Sequence, residues 1–152
     1  MARPHPLKEL MKTPLPSITE QRRKCYRPSL REINETYKLI NKYVFNNKLK
    51  RPPIQLKSCR KYWGMCIGSL QEVSPGTFCK IELMDKWFCI QWMITTLAHE
   101  MVHQYEWDVL RKDMTHRQSF FIWREKLAEF NINLKTSHGQ KRWFKYQDFT
   151  KC

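Results

Sequence analysis

The apolar positions of this chain change period twice, and each change marks a different kind of element. Leu30, Ile33, Tyr37, Ile40 and Val44 recur at steps of three and four, the spacing that lays a stripe along one side of a helix. Ser29 and Glu32 precede that stripe as an S-x-x-E capping box, which satisfies amides left without partners at a helix start. Asn46-Asn47 ends the helix, and Pro52-Pro53 forbids a restart nearby. The period then shortens. Ile54–Ser58 and Trp63–Leu70 read as strands, the second weakened by Gly64 and Gly68. Phe78–Leu83 alternates, with Cys79, Ile81 and Leu83 on one face and Lys80 and Glu82 on the other. Ser74-Pro75-Gly76 is a turn, so these last two strands predict a hairpin. Helical spacing returns from about Phe88 to about Asp108. There Ile90, Ile94, Leu97, Met101 and Tyr105 form the stripe, widened by Met93, Ala98 and Val102. A polar loop follows. A third helix is predicted from His116 or Arg117 to Asn131, burying Phe120, Trp123 or Arg124, Leu127 and Ala128.

The flanks look different. Residues 1–28 carry Pro4, Pro6, Pro14, Pro16 and Pro28 among basic residues and read as a flexible or loosely docked arm. Residues 135–152 form a basic tail containing Trp143, Phe144, Tyr146 and Phe149. Residues 29–134 remain as one domain, in keeping with a length of 152 residues. At 41% hydrophobic and 13% aromatic, the chain is too apolar to be disordered throughout. No apolar run approaches the roughly 18 residues needed to cross a bilayer, and the N-terminus lacks the apolar stretch of a secretory signal. The expectation is an intracellular protein, not secreted and without a membrane partner. Cys25, Cys59, Cys66, Cys79, Cys89 and Cys152 form no C-x-x-C pair, which removes zinc-ribbon and thioredoxin-type readings. Reduced thiols are expected, with Cys66, Cys79 and Cys89 as core fillers.

Charge adds a partner. Lys and Arg total 28 against 14 Asp and Glu, a net charge of +14. Seven basic and two acidic side chains fall in residues 1–28, and five and one in residues 135–152, so the ends are denser in positive charge than the middle. Such a chain is drawn to polyanions by counterion release, with nucleic acid the leading candidate and an anionic membrane surface the second. Arg22, Arg23 and Lys24, and Lys141, Arg142 and Lys145 beside Trp143, Phe144 and Tyr146, pair cations with aromatics. Aromatic faces stack on unpaired bases while cations hold phosphates.

The second predicted helix contains His99-Glu100-Met101-Val102-His103, an H-E-x-x-H pattern. Residues four apart on a helix are separated by about 40° and about 6 Å, so two imidazoles can reach one metal ion from the same face. Imidazole nitrogen suits zinc. Glu100, turned about 100° from His99, stands beside such an ion and can take a proton from an attacking water without being a ligand. A catalytic zinc site normally has three protein ligands and an open position. Three sources compete for the third: His116, Glu125 or Glu129, and Asp108 or Asp113. The metzincin pattern is excluded, because Glu106 and Val109 stand where it requires Gly and His. Tyr62 and Tyr105 are candidate oxyanion donors. His5, in the Pro-rich arm, and His138, in a Ser-His-Gly turn, are not expected as ligands.

The run Thr96-Leu97-Ala98-His99-Glu100-Met101-Val102-His103, followed after a short loop by Thr115-His116-Arg117-Gln118-Ser119-Phe120, resembles the SprT-like family of zinc metalloproteases, to which the Spartan-type DNA–protein-crosslink proteases belong. Tyr43–Leu49 is similar to that family's helix end, Trp63-Gly64-Met65-Cys66 to its aromatic-G-x-C strand, and Cys79–Met84 to the strand before the active-site helix. The likeness covers residues 29–134. It implies an α+β fold, a small zincin-like domain in which a short, mainly antiparallel sheet packs against the active-site helix and two further helices. It also implies Zn2+ as cofactor, His99, His103 and His116 as ligands, Glu100 as general base, and protein substrates near DNA. Thr115 and Arg117 replace the glycines that usually flank the third His. No zinc ribbon follows, so contact with DNA, single- or double-stranded, falls to the basic ends. The alternative is a DNA-binding or virion-associated module whose zinc site is structural.

Overall fold

A computed structural model describes residues 5–12, 26–58, 61–87 and 89–135. It contains, in chain order, α1 (Pro6–Leu10), α2 (Leu30–Tyr43), β1 (Ile54–Lys57), β2 (Gly64–Gly68), β3 (Cys79–Met84), α3 (Ile90–Gln104), a π-helical turn (Tyr105–Val109), α4 (Gln118–Phe121) and α5 (Arg124–Ala128).

The capping box forms as expected. Ser29 Oγ accepts the Glu32 amide at 3.1 Å. Ile33, Tyr37, Ile40 and Val44 are buried, whereas Leu30 is 47% exposed. Leu30 begins α2 and lies on the rim beside Pro52 and Pro53, outside the core. The chain leaves α2 through Asn46 and Asn47, both left-handed with φ of 53° and 60°, a region that Asn tolerates better than most residues.

The sheet has the order β1-β3-β2. β2 and β3 form the predicted antiparallel hairpin, with Cys66 opposite Ile81, and Gly76 supplies its positive φ of 78° in the turn. β1 pairs with β3 in parallel, Ile54 opposite Ile81, so the sheet is mixed and β3 is its centre. Alternation identifies strands but not their direction. Cys79, Ile81 and Leu83 face the core. Glu82, on the opposite face, is also buried under Tyr62 at 2.5 Å, Lys80 at 3.4 Å and Lys57 at 3.6 Å.

Every residue of α3 from Met93 through Gln104 is buried, because the helix packs against β2, β3 and α2. The predicted helix continues to Val109, but as a wider π turn. That turn docks on the hairpin. Trp107 Nε1 donates to Phe78 O at 2.8 Å and Ser69 O at 3.2 Å, and Asp108 accepts the Phe78 amide at 3.0 Å. A Cβ at residue 68 would lie 2.6 Å from the Trp107 ring, which explains a glycine inside β2.

The predicted third helix is split at Ile122-Trp123 into α4 and α5. Phe120 and Leu127 are buried, while Arg124 and Ala128 face outward. Arg124 stacks over Phe121, and Trp123 packs on Phe45 and Tyr105 instead. Beyond the break, Asn131 turns with φ of 61° and returns Ile132 and Leu134 to the core. Within the Pro-rich arm, α1 docks, with Leu7 fully buried and Met11 nearly so. His5 caps α1 through Nδ1 and packs on Tyr43 and Phe130. Cys66 and Cys79 are buried free thiols, and Cys89 is partly exposed. Among the described residues, no helix is long and apolar enough to cross a membrane.

Candidate metal centre

α3 presents His99 and His103 on one face, and the loop ahead of α4 brings His116 to them. The three Nε2 atoms form a triangle with each pair 3.2 Å apart. His103 Nδ1 lies 2.8 Å from Glu106 Oε1, which places the ring proton on Nδ1 and leaves a lone pair on Nε2. Burial holds the His103 imidazole below its ordinary pKa, against the pull of Glu106. Three ring nitrogens so arranged cannot all be hydrogen-bonded to one another. Tetrahedral nitrogen ligands about 2.0–2.1 Å from a zinc ion stand roughly 3.3 Å apart, so the observed spacing fits one metal ion held by all three. Phe120 supports the cluster, its ring centroid 4.8, 5.0 and 4.8 Å from those of His99, His103 and His116.

The other candidates for third ligand lie elsewhere. Asp108 bonds to Phe78 and Gln104. Glu129 pairs with Lys126 at 3.2 Å, and Asp113 and Glu125 are exposed. Among the described residues, His99, His103 and His116 are the group whose ligand atoms converge.

Glu100 lines the same cleft, about 420 Å³ in volume, together with Tyr62, Met65, Thr96 and Met114. Its carboxylate is buried and accepts the backbone N–H of Cys66 on β2. Burial pushes the acid up to about 8, with the Cys66 amide opposing that rise. A Cβ at residue 64 would fall 2.8 Å from Thr96 Cγ2 and 3.3 Å from Glu100 Cγ, so Gly64 is what lets α3 lie this close to β2. Tyr62 borders the cleft but donates its hydroxyl to Glu82. Tyr105 packs between Phe45 and Trp123 rather than at the site.

A family model described as the SprT-like family matches residues 33–138. The chain belongs to the SprT-like family. SprT-like proteins are generally metallopeptidases, and the three converging histidines agree with that character. No curated protein sequence matches the chain.

This SprT-like domain holds its third histidine without the flanking glycines. Neither Thr115 nor Arg117 has a positive φ; the left-handed residue of the loop is Arg111, at 55°. Thr115 instead ties the loop down. Its amide and hydroxyl donate to Glu106 at 3.2 and 3.1 Å, and Ser119 Oγ donates to the same carboxylate at 2.6 Å. Glu106 is fully buried. Reading the sequence for ligands passed over it, although its place three residues after His103 on one helix was a usable signal. Phe120 was legible as a core residue but not as the support of the imidazoles. Arg22, Arg23, Lys24, Lys141, Arg142, Lys145 and His138 lie outside the described residues.

Proposed function

We propose that this SprT-like chain is a zinc-dependent metallopeptidase whose substrates are proteins associated with or crosslinked to DNA. The observation that carries the proteolytic part is the triangle of Nε2 atoms, each pair 3.2 Å apart, in a cleft shared with a buried carboxylate. His99, His103 and His116 would hold the ion. Zinc bound there supplies a Lewis acid for a water and for the scissile carbonyl. Glu100 accepts the proton of the attacking water on a carboxylate oxygen and delivers it to the leaving amine nitrogen. The same burial that raises its pKa makes the protonated state accessible, and the Cys66 amide fixes the carboxylate's direction. Met65 and Met114 offer adaptable apolar walls to substrate side chains.

A structural zinc site has no use for a carboxylate beside the ion or for an open cleft, so both favour hydrolysis over the binding-module alternative. The DNA part is supported by the net charge of +14. On this reading Arg22, Arg23, Lys24, Lys141, Arg142 and Lys145 hold phosphates.

The test is cleavage of a DNA-binding protein substrate by the full chain, without DNA and with single- or double-stranded DNA, at low and high salt. The expected result is DNA-stimulated cleavage that a chelator or Glu100→Gln abolishes, with DNA binding that weakens steeply with salt. Salt-sensitive binding without cleavage would support the structural-zinc module. Cleavage with no DNA binding at low salt would leave a peptidase unconnected with DNA.

A further inference from the structure

We infer that Glu106 is a positioning residue that holds two of the three imidazoles, His103 directly and His116 through its loop, so that one buried carboxylate assembles the metal centre. This rests on the metal-site reading above. Oε1 accepts from His103 Nδ1 at 2.8 Å. Oε2 accepts from Thr115 Oγ1 at 3.1 Å and Ser119 Oγ at 2.6 Å, and the Thr115 amide reaches both oxygens at 3.2 Å. The Glu106 carbonyl also receives the Lys112 amide at 3.1 Å.

Packing alone does not call for this residue. A carboxylate with no exposed surface is costly unless nearly all its acceptor capacity is met, and an apolar side chain would fill the same space without that cost. Every side-chain partner of Glu106 belongs to a segment carrying a ligand: α3 with His103, or the Thr115–Ser119 stretch with His116. The two halves differ in need. His103 is buried within α3, whereas His116 is exposed, on a loop of irregular backbone. The bonds from residue 115 hold the backbone immediately before residue 116, as the Phe120 and Phe121 amides on the Arg117 carbonyl hold it immediately after. The Oε1 bond fixes the His103 tautomer and ring, and the Oε2 bonds set the distance between loop and helix.

The inference is tested on the full chain with Co2+ alone as probe ion, using visible absorption and chelator competition. Glu106→Ala is expected to weaken binding by about 10–100-fold, the usual effect of losing a partner behind a metal-binding His, and to alter the absorption bands. Thr115→Ala combined with Ser119→Ala keeps the His103 bond, so a smaller loss is expected. Glu106→Gln should recover part of the affinity, since its carbonyl can accept from His103 while the two hydroxyls turn to accept from its amide. A residue that merely stabilises the fold would lower the melting temperature of the metal-free protein but leave wild-type affinity and bands in the folded fraction, and that result overturns the inference. Should Glu106→Ala not fold, unchanged affinity in both remaining variants has the same force. Failure of the wild-type chain to take up Co2+ would instead remove the metal-site reading on which the inference stands.

Discussion

Two polar clusters sit on neighbouring turns of α3, and only one is closed. In the first, the Tyr37 hydroxyl donates to Gln104 Oε1 at 2.7 Å, and Gln104 Nε2 donates to Lys50 O at 2.7 Å and Asp108 at 3.2 Å. Asp108 in turn accepts the Phe78 amide. Each donor there faces an acceptor, and the network stitches α2, the hairpin and the π turn to α3. In the second, His99, His103 and His116 aim Nε2 atoms at one another without enough protons to join them. Buried polar atoms that satisfy one another belong to the fold. Acceptors that converge on a common point require something from outside it. The comparison separates structure from function within one helix.

Substitutions can break that separation. The largest expected effect is that of Glu100→Gln, which should cost about 10²–10⁴-fold in peptide hydrolysis while zinc content, measured by metal analysis, stays at the wild-type level. His116→Ala should lower zinc affinity by more than the roughly 100-fold ceiling for losing an outer partner. Glu125→Ala should leave affinity unchanged, and an unchanged metal load in the His116 variant would remove it from the site. Gln104→Leu tests the closed cluster. It removes the Gln104 bonds to the Tyr37 hydroxyl, the Lys50 carbonyl and Asp108, leaving the first two only their own 3.2 Å bond, and should destabilise by about 1–3 kcal/mol in urea titration, with metal affinity untouched. If zinc binding fell along with stability there, the two clusters would not be separable.

The smallest effect concerns pH. The Tyr62 hydroxyl chiefly, with Lys80 and Lys57, holds the Glu82 carboxyl below its ordinary value. A depressed folded pKa contributes stability above the unfolded pKa and loses it as pH falls through the folded one. The urea midpoint should therefore drop between about pH 5 and pH 3, and Glu82→Gln should flatten that drop.

Much of this was legible in the sequence, for reasons that are local. The Ser29 cap, the α2 stripe, the alternation of β3 and the i,i+4 histidines each depend on backbone period alone. Features that depend on tertiary contact were not legible. The parallel pairing of β1 with β3 leaves no mark on period. The π turn, from which Trp107 and Asp108 both bond to the hairpin, depends on contacts absent from the helical stripe. Leu30 had the right spacing and the wrong surroundings. His116 competed with carboxylates until the loop's path decided among them, and the role of Glu106 depends on that same path.

Gly64 and Gly68 bracket β2, and each admits a close neighbour: Thr96 against the first, the Trp107 indole against the second. The strand bordering the cleft is therefore packed closely against the histidine-bearing helix at one end and against the π turn that continues it at the other. Strand and helix together make one side of the cleft, and the stretch with Met114, Thr115 and His116 makes the other. That second side carries the third converging imidazole, so a change in the width of the cleft would, on the proposed reading, also change the geometry offered to a metal ion.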